Sequence, residues 1–278
     1  MMQLYNEVCS LCSKITTEKY STSFSSSIKL LHKDLQTPIF HIYGFVRFAD
    51  EIVDTFHEYN KKQLLDDFIK NTHEAVQNKI SLNPVLQSFQ LVVNQYNIDT
   101  HLIDAFFASM RSDLSEVSYD DKGYREYIYG SAEVVGLMCL YVFCDGNKAS
   151  YLELEPYAKT LGAAFQKVNF LRDVKADAKG LNRMYFPGVD FNNFSVAEKL
   201  LIEQDIDKDF TCAYQGIKRL PKKSRFGVYV AYQYYITLFN KIKKLPPQSI
   251  LESRIRVSDV SKTGIVLFAQ LKNRFNLL

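Results

Sequence analysis

Gly162-Ala163-Ala164-Phe165-Gln166-Lys167-Val168-Asn169-Phe170-Leu171-Arg172-Asp173-Val174-Lys175-Ala176-Asp177 is the stretch whose periodicity decides the fold. Gly162, Gln166, Asn169, Asp173 and Asp177 fall at i, i+4, i+7, i+11 and i+15, which is one face of an α-helix. Ala163, Ala164, Phe165, Val168, Phe170, Leu171 and Val174 fill the positions around that face, so the helix is buried over most of its circumference. The small residues at 162 to 164 are expected to leave space beside the polar stripe. A second stretch has the same build: Tyr43-Gly44-Phe45-Val46-Arg47-Phe48-Ala49-Asp50-Glu51-Ile52-Val53-Asp54. Here Tyr43, Arg47, Asp50 and Asp54 form the stripe, and Ile39, Phe40, Ile42, Phe45, Val46, Phe48, Ile52 and Val53 form the apolar surround.

Two carboxylates one turn apart repel each other by about a few tenths of a kcal/mol. Unpaired charges in an apolar surround cost far more. Each stripe must therefore face a cavity or a partner. Internal salt bridges are one solution, from Arg47 to Asp50 or Asp54 and from Arg172 to a nearby acid. The same composition on two separate buried helices favours a site instead. If the helices face each other, Asp50, Asp54, Asp173 and Asp177 surround a space suited to divalent cations. Hard oxygen donors of this kind suit Mg²⁺, which takes one or two carboxylates and completes its shell with water and phosphate. Arg47 and Arg172 would flank the anion such cations bring, the usual electrostatic solution for a diphosphate.

The rest of the 278-residue chain agrees with a helical reading. Hydrophobic content of 47% with 23% charge is that of a folded globular protein, and eleven glycines and seven prolines are few. No dinucleotide or P-loop glycine pattern occurs. Five cysteines are no disulfide framework for this length, and Cys9 and Cys12 lack a second pair at zinc spacing. His32, His41, His57, His73 and His101 show no ligand spacing and read as structural or surface residues. The residues from Met1 to Thr17 lack the pattern of a signal peptide, and no apolar run is long enough to span a membrane. A cytoplasmic protein is expected, with peripheral contact at the inner membrane face left open.

The formal charge of +3 is uneven: from Ile217 to Leu278 thirteen Lys and Arg face two acids, a net of +11, leaving −8 for the remainder. A basic end meets anionic lipid, a polyphosphate or nucleic acid, or is a solvated face. It carries no recognition motif for nucleic acid, so none is expected as a partner.

Periodicity predicts helices over 4–20, 36–57, 61–79, 84–96, 99–113, 121–145, 149–178, 195–218, 224–244 and 258–275. Pro38 suits a first turn, and Asn83-Pro84 and Glu155-Pro156 suit starts or kinks. Asn60 and Ser195 are N-caps, with Glu198 completing a capping box, and Gly180 suits a helix end. The serine-rich stretch from Tyr20 to Lys33 and the stretch from Gly180 to Phe194 break the pattern. The expectation is an all-α protein, a single domain over 1–278.

The second carboxylate segment, extended from Leu161-Gly162 through Asn169-Phe170-Leu171-Arg172-Asp173-Val174 and Asp177 to Arg183-Met184-Tyr185-Phe186-Pro187, resembles the signature of the squalene/phytoene synthase family. Tyr43 to Asp54 resembles the family's first aspartate-rich motif, and Glu51 after the first Asp is similar to the phytoene synthase variant. Ser21-Thr22-Ser23-Phe24 resembles the family's N-terminal serine–phenylalanine element. Tyr127 to Gly136 resembles a third signature, except that Ile128 and Glu133 stand where the family has small residues. Glu133 would narrow the cavity or point outward. The similarity runs from about residue 8 to 262.

The resemblance implies an isoprenoid-synthase-type helical bundle around a central cavity. It also implies head-to-head condensation of two allylic prenyl diphosphates through a cyclopropylcarbinyl diphosphate. Asp50, Asp54, Asn169, Asp173 and Asp177 would hold Mg²⁺, or Mn²⁺ in its place, with Gln166 in the polar wall. Arg47, Arg172 and Arg183 would bind diphosphate, and Tyr43, Tyr129, Tyr185 and Tyr235 would contribute hydroxyls. Ser21, Ser23 and Phe24 would close over the substrate. Ile28 and Phe40, in the expected tail-lining helices, are medium-sized, which with Glu51 favours geranylgeranyl diphosphate and a phytoene product, needing no NADPH. A farnesyl diphosphate-using squalene or dehydrosqualene synthase is the alternative, and a non-catalytic lipid-associated subunit is a third reading. A monomer is expected.

Overall fold

The computed structural model describes residues 1–115, 118–176, 185–252 and 254–274, and among them the chain forms helices and no strand. The first helix, α1 (Met2–Tyr20), lies across α3 (Lys33–Asp54) and α5 (Pro84–Tyr96). Between α1 and α3 the serine-rich stretch, expected to be irregular, forms a helix, α2 (Thr22–Ile28). Serine is a weak helix former because its hydroxyl competes for backbone groups. Here those hydroxyls are absorbed locally. Ser21 Oγ caps the helix by accepting from Phe24 N at 3.2 Å, while Ser26 and Ser27 donate back to Thr22 and Ser23 carbonyls. Tertiary contact does the rest: a Cβ on Gly227 would lie 2.8 Å from the Ser27 carbonyl oxygen, so α2 sits directly on α11 (Lys222–Lys243).

Helix α3 begins at Lys33, three residues before the predicted start, so Pro38 falls within the second turn. Asn60 caps α4 (Lys61–Asn78), accepting from Gln63 N at 3.1 Å, and Asn83 caps α5 with Pro84 at its first position. Asp99 caps α6 (Thr100–Ser112). The single helix expected over 121–145 is interrupted. It consists of α7 (Asp121–Ile128), a π turn at Tyr129–Glu133 and α8 (Val134–Phe143). Helix α9 (Lys148–Ala176) runs through Pro156 without ending. Ser195 and Glu198 form the expected capping box of α10 (Val196–Arg219). Helix α11, a four-residue α12 (Pro247–Ile250) and α13 (Asp259–Arg274) complete the described chain.

Two apolar clusters hold these helices together. One is built on α3, α4, α5, α6 and α8, the other mainly on α9, α10 and α11. Phe45 is the hinge of the first, fully buried and stacked on Phe89 with ring centroids 3.7 Å apart. Phe106 and Phe107 meet the same ring at 5.4 and 5.5 Å. Because Phe45 sits between Tyr43 and Arg47, this packing fixes how the α3 stripe is aimed. Phe45→Ala is expected to cost about 3–5 kcal/mol of stability, read from urea unfolding. A loss below about 1 kcal/mol would mean the cluster is not the anchor of α3.

Candidate functional site

Four helices bring predicted residues together. From α3, Tyr43 points at a cluster completed by α2 and α11: the Phe24 ring lies 5.7 Å from Tyr43 and 5.8 Å from Tyr235. From α9, Phe165 stacks on Tyr235 at 3.9 Å and meets Phe24 edge-on at 6.2 Å. Phe24 is therefore the keystone between the α3 stripe and the α9 stripe. Burial pushes the Tyr43 hydroxyl up to about 12, and the Asp50 carboxylate and Tyr235 nearby push the same way. Ser21 hydrogen-bonds Tyr43 and opposes them. Burial also raises Tyr235, against the nearby Arg172 charge and the Asn169 hydrogen bond.

The α9 wall is a continuous polar chain. Ser131 Oγ accepts from Gln166 Nε2 at 3.2 Å, Gln166 Oε1 accepts from Asn169 Nδ2 at 3.4 Å, and Asn169 Oδ1 accepts from Tyr235 Oη at 3.1 Å. One turn on, Arg172 grips its neighbour Asp173 through two bonds, at 3.0 and 2.5 Å. Arg254 Nε reaches the same carboxylate at 2.9 Å. On α3, Arg47 pairs with Glu51 and lies 3.9 Å from Asp50 Oδ2, with its guanidinium 4.4 Å from the Tyr20 ring centroid. Arg47 Nε is buried with no hydrogen-bond partner.

Several residues take positions the sequence did not suggest. Glu51, in the sequence only a motif variant, is the ion-pair partner of Arg47, and its i,i+4 spacing was a legible signal. Arg254 and Tyr20 lie too far along the chain for any spacing rule to find. Ser23 is half-buried on α2. Tyr129, in the π turn, lies next to α9, with Lys159 Nζ 5.6 Å from its ring centroid. Tyr185 stacks on Phe170 at 4.0 Å beside Tyr127, whose hydroxyl donates to Asp113 at 2.9 Å, so its ring belongs to a packed aromatic cluster. Asp177 and Arg183 lie outside the described residues.

Gly162 overturns an expectation. It does not leave space, because a Cβ there would lie 2.7 Å from the Ala132 carbonyl oxygen. The glycine lets the π turn lie against α9. Gly130 does the same toward α6, where a Cβ would be 2.5 Å from the Ala105 carbonyl oxygen. Toward the start of α9 there is only a small apolar crevice of about 40 Å³, lined by Leu140, Leu154, Tyr157, Leu161, Ile217 and Val228, among others. Leu161 and Asp173 are twelve residues apart on α9, about 18 Å along its axis. One helix thus carries a charged end and an apolar end.

Glu133 is half-buried within a group of charges. Its neighbours are Lys159, Asp209 and Lys167, and Lys167 itself bridges Asp205 and Asp209 at 2.5 and 2.7 Å. His41 is buried, hydrogen-bonded to Ser10 at 2.8 Å and pushed down to about 4 by burial, as a structural histidine should be.

The donors on the two stripes are Asp50, Asp54, Asp173 and Asn169, all oxygen. Among the described residues, no three acidic, histidine or cysteine side chains gather at a single point. An oxygen-only set shared between two helices fits Mg²⁺, which draws much of its shell from water and phosphate. For a metal-bound diphosphate, Arg47 on α3 and Arg172 on α9 would be the cationic partners, beside the aromatic cluster of Phe24, Phe165 and Tyr235.

Comparison with known proteins agrees with this helical fold. The family model for squalene/phytoene synthase matches residues 17–215. A 4,4'-diapophytoene synthase of Staphylococcus haemolyticus (strain JCSC1435) is 24% identical over 295 residues, covering 99% of each chain. A phytoene synthase of Arthrospira platensis is 26% identical over 290 residues, covering 95% of this chain and 93% of the other. A crystal structure of a dehydrosqualene synthase in complex with ligand superposes with a TM-score of 0.81 at 20% identity, covering 98% of each chain.

Burial pushes Glu133 up to about 7 from an ordinary 4.5, with Asp209 adding to the rise and Lys159 and Lys167 opposing it. The folded state then binds more protons than the unfolded chain between those values, so stability falls as pH rises through that window. Glu133→Gln should lose this part of the slope. Thermal melts of both proteins from pH 4.5 to 7 test it, and parallel curves would show that Glu133 ionises freely.

Proposed function

The chain belongs to the squalene/phytoene synthase family, and we propose that it condenses two molecules of geranylgeranyl diphosphate head to head to give phytoene. The family's chemistry is head-to-head prenyl diphosphate condensation, and the chain is a prenyltransferase-type enzyme of isoprenoid biosynthesis. The observation that supports the reading is the aromatic cluster at Phe24, which joins Tyr43 of the α3 stripe to Phe165 of α9 and to Tyr235, the hydrogen-bond partner of Asn169.

Asp50 and Asp54 on one side and Asp173, Asn169 and Asp177 on the other would hold Mg²⁺ with the diphosphates. When bound, Mg²⁺ neutralises diphosphate charge and stabilises it as a leaving group. Arg47, Arg172 and Arg183 add fixed positive charge where the negative charge of the departing group develops. Arg172 and Arg254 hold Asp173 in the meantime, and Glu51 holds Arg47, so the charges are aimed before substrate arrives. Tyr43, with its proton held tightly by burial, is a hydrogen-bond donor and not a base. Phe24, Phe165 and Tyr235 present ring faces and edges to a developing carbocation and exclude water from it.

Glu51 in the first motif and the medium-sized Ile28 and Phe40, both in the first core cluster, support the longer C20 tail. A second reading uses farnesyl diphosphate to make a C30 dehydrosqualene. Its support is the diapophytoene synthase matched over 99% of this chain and the fold shared with a dehydrosqualene synthase.

Purified protein incubated with Mg²⁺ and either geranylgeranyl or farnesyl diphosphate should yield a C40 hydrocarbon from the former without NADPH. A C30 product alone would replace the first reading with the second. Asp50→Asn is expected to lower turnover by about 10²-fold or more with the fold intact by circular dichroism. Unchanged turnover would remove the α3 stripe from the chemistry and favour a non-catalytic subunit.

A further inference from the structure

Helix α13 is amphipathic in a way the core does not require. Its inner face packs on α11 through Ile265, Val266 and the buried Ala269. Its outer face is apolar as well: Val260, Leu267, Phe268 and Leu271 are 84%, 57%, 56% and 55% exposed. These four positions, with Gly264, fall within one side of the helical wheel, giving a stripe that runs almost the length of α13. An exposed apolar row of this size on a folded chain marks an interaction face.

Charge says what covers it. From Arg254 to Arg274 there are five basic residues and one acid, Asp259. Arg254, Arg256 and Arg274 are exposed, and Lys272 lies over the Phe268 ring at 5.0 Å, at the edge of the apolar row. Helix α1 exposes a comparable row, Leu4, Val8, Leu11 and Ile15, but its Glu7 and Glu18 balance its Lys14 and Lys19. Of these two described helices α13 is the one that joins an exposed apolar stripe to a net positive flank, which is the signature of a helix lying in an anionic lipid interface. Among the described residues no helix is long and apolar enough to cross a membrane, so contact would be in the plane.

We propose that the outer face of α13 docks the enzyme on an anionic bilayer surface, with Val260, Leu267, Phe268 and Leu271 inserted and Arg256, Lys272 and Arg274 at the headgroups. Its place in the fold gives the contact a purpose, which rests on the prenyl diphosphate reading. Lys262 Nζ donates to Thr22 Oγ1 at 2.9 Å, tying α13 to α2, the helix whose Phe24 closes the candidate site. The helix at the bilayer is thus the neighbour of the helix that covers a site for lipid-tailed substrate.

The test is flotation of the full chain with vesicles of phosphatidylcholine alone or mixed with phosphatidylglycerol. Binding is expected only to the mixed vesicles, weakening as salt rises, and falling about tenfold or more in Phe268→Ser/Leu271→Ser. The chain contains no tryptophan, so Phe268→Trp supplies a single reporter. Its emission should shift to the blue on mixed vesicles, while Leu201→Trp, on the exposed part of α10, should not shift. No flotation, flotation unchanged in the double serine variant, or a blue shift that needs only higher protein concentration would overturn the proposal, the last by showing that a second copy covers the stripe. Diphosphate release from detergent-dispersed substrate should be unchanged in the double serine variant. Its absence in the wild type would count against the enzymatic reading alone, leaving the vesicle result to stand or fall by itself.

Discussion

The structure depends on two buried helices that each carry a charged stripe. Phe45 on α3 and Val168 and Leu171 on α9 are fully buried, while Asp50 and Asp173 on the same helices are half-buried and so need partners for their charge. The stripes must face one another or face cations. Cations are at hand on each helix: Arg47, held by Glu51, lies close to Asp50, and Arg172 and Arg254 hold Asp173, while Phe24 packs against Tyr43 of α3 and against Tyr235, which donates to Asn169 of α9. Breaking one partner of such a pair is costly because it strands a buried charge. The same constraint that keeps the helices in register therefore aims the groups that would meet a diphosphate.

The polar groups occupy one end of α9 and the apolar crevice the other, and the π turn stands between them. A π turn adds a residue to the helical ring and shifts the register of the turns beyond it. Here the backbone of Ala132 presses on Gly162, and that of Ala105 approaches Gly130. The small residues of both segments are spent on backbone contact.

Much of this was legible in the sequence. The i, i+4, i+7, i+11 stripes, the Asn60 cap, the helix start at Asn83-Pro84 and the Ser195–Glu198 capping box are local, and periodicity reports local order. What escaped was set by tertiary contact. Helix α2 is serine-rich and forms because α11 offers a glycine surface to it. The π turn has no propensity signal, since only its backbone contacts with α6 and α9 distinguish it from a continuous helix. Arg254 joins Asp173 across 81 positions, and Tyr20 joins Arg47 from another helix. Glu133 departs from the expected small residue, and only its neighbours Lys159, Lys167 and Asp209 reveal that it lies within a group of charges.

The central claim is that the α3 and α9 stripes form one site. A double-mutant cycle on the binding of inorganic diphosphate with Mg²⁺ tests it most directly, using Asp50→Asn, Asp173→Asn and the pair together. One shared site predicts that the two losses are not additive, with a coupling of about 1 kcal/mol or more. Losses that add within about 0.5 kcal/mol would show two independent stripes and contradict the account.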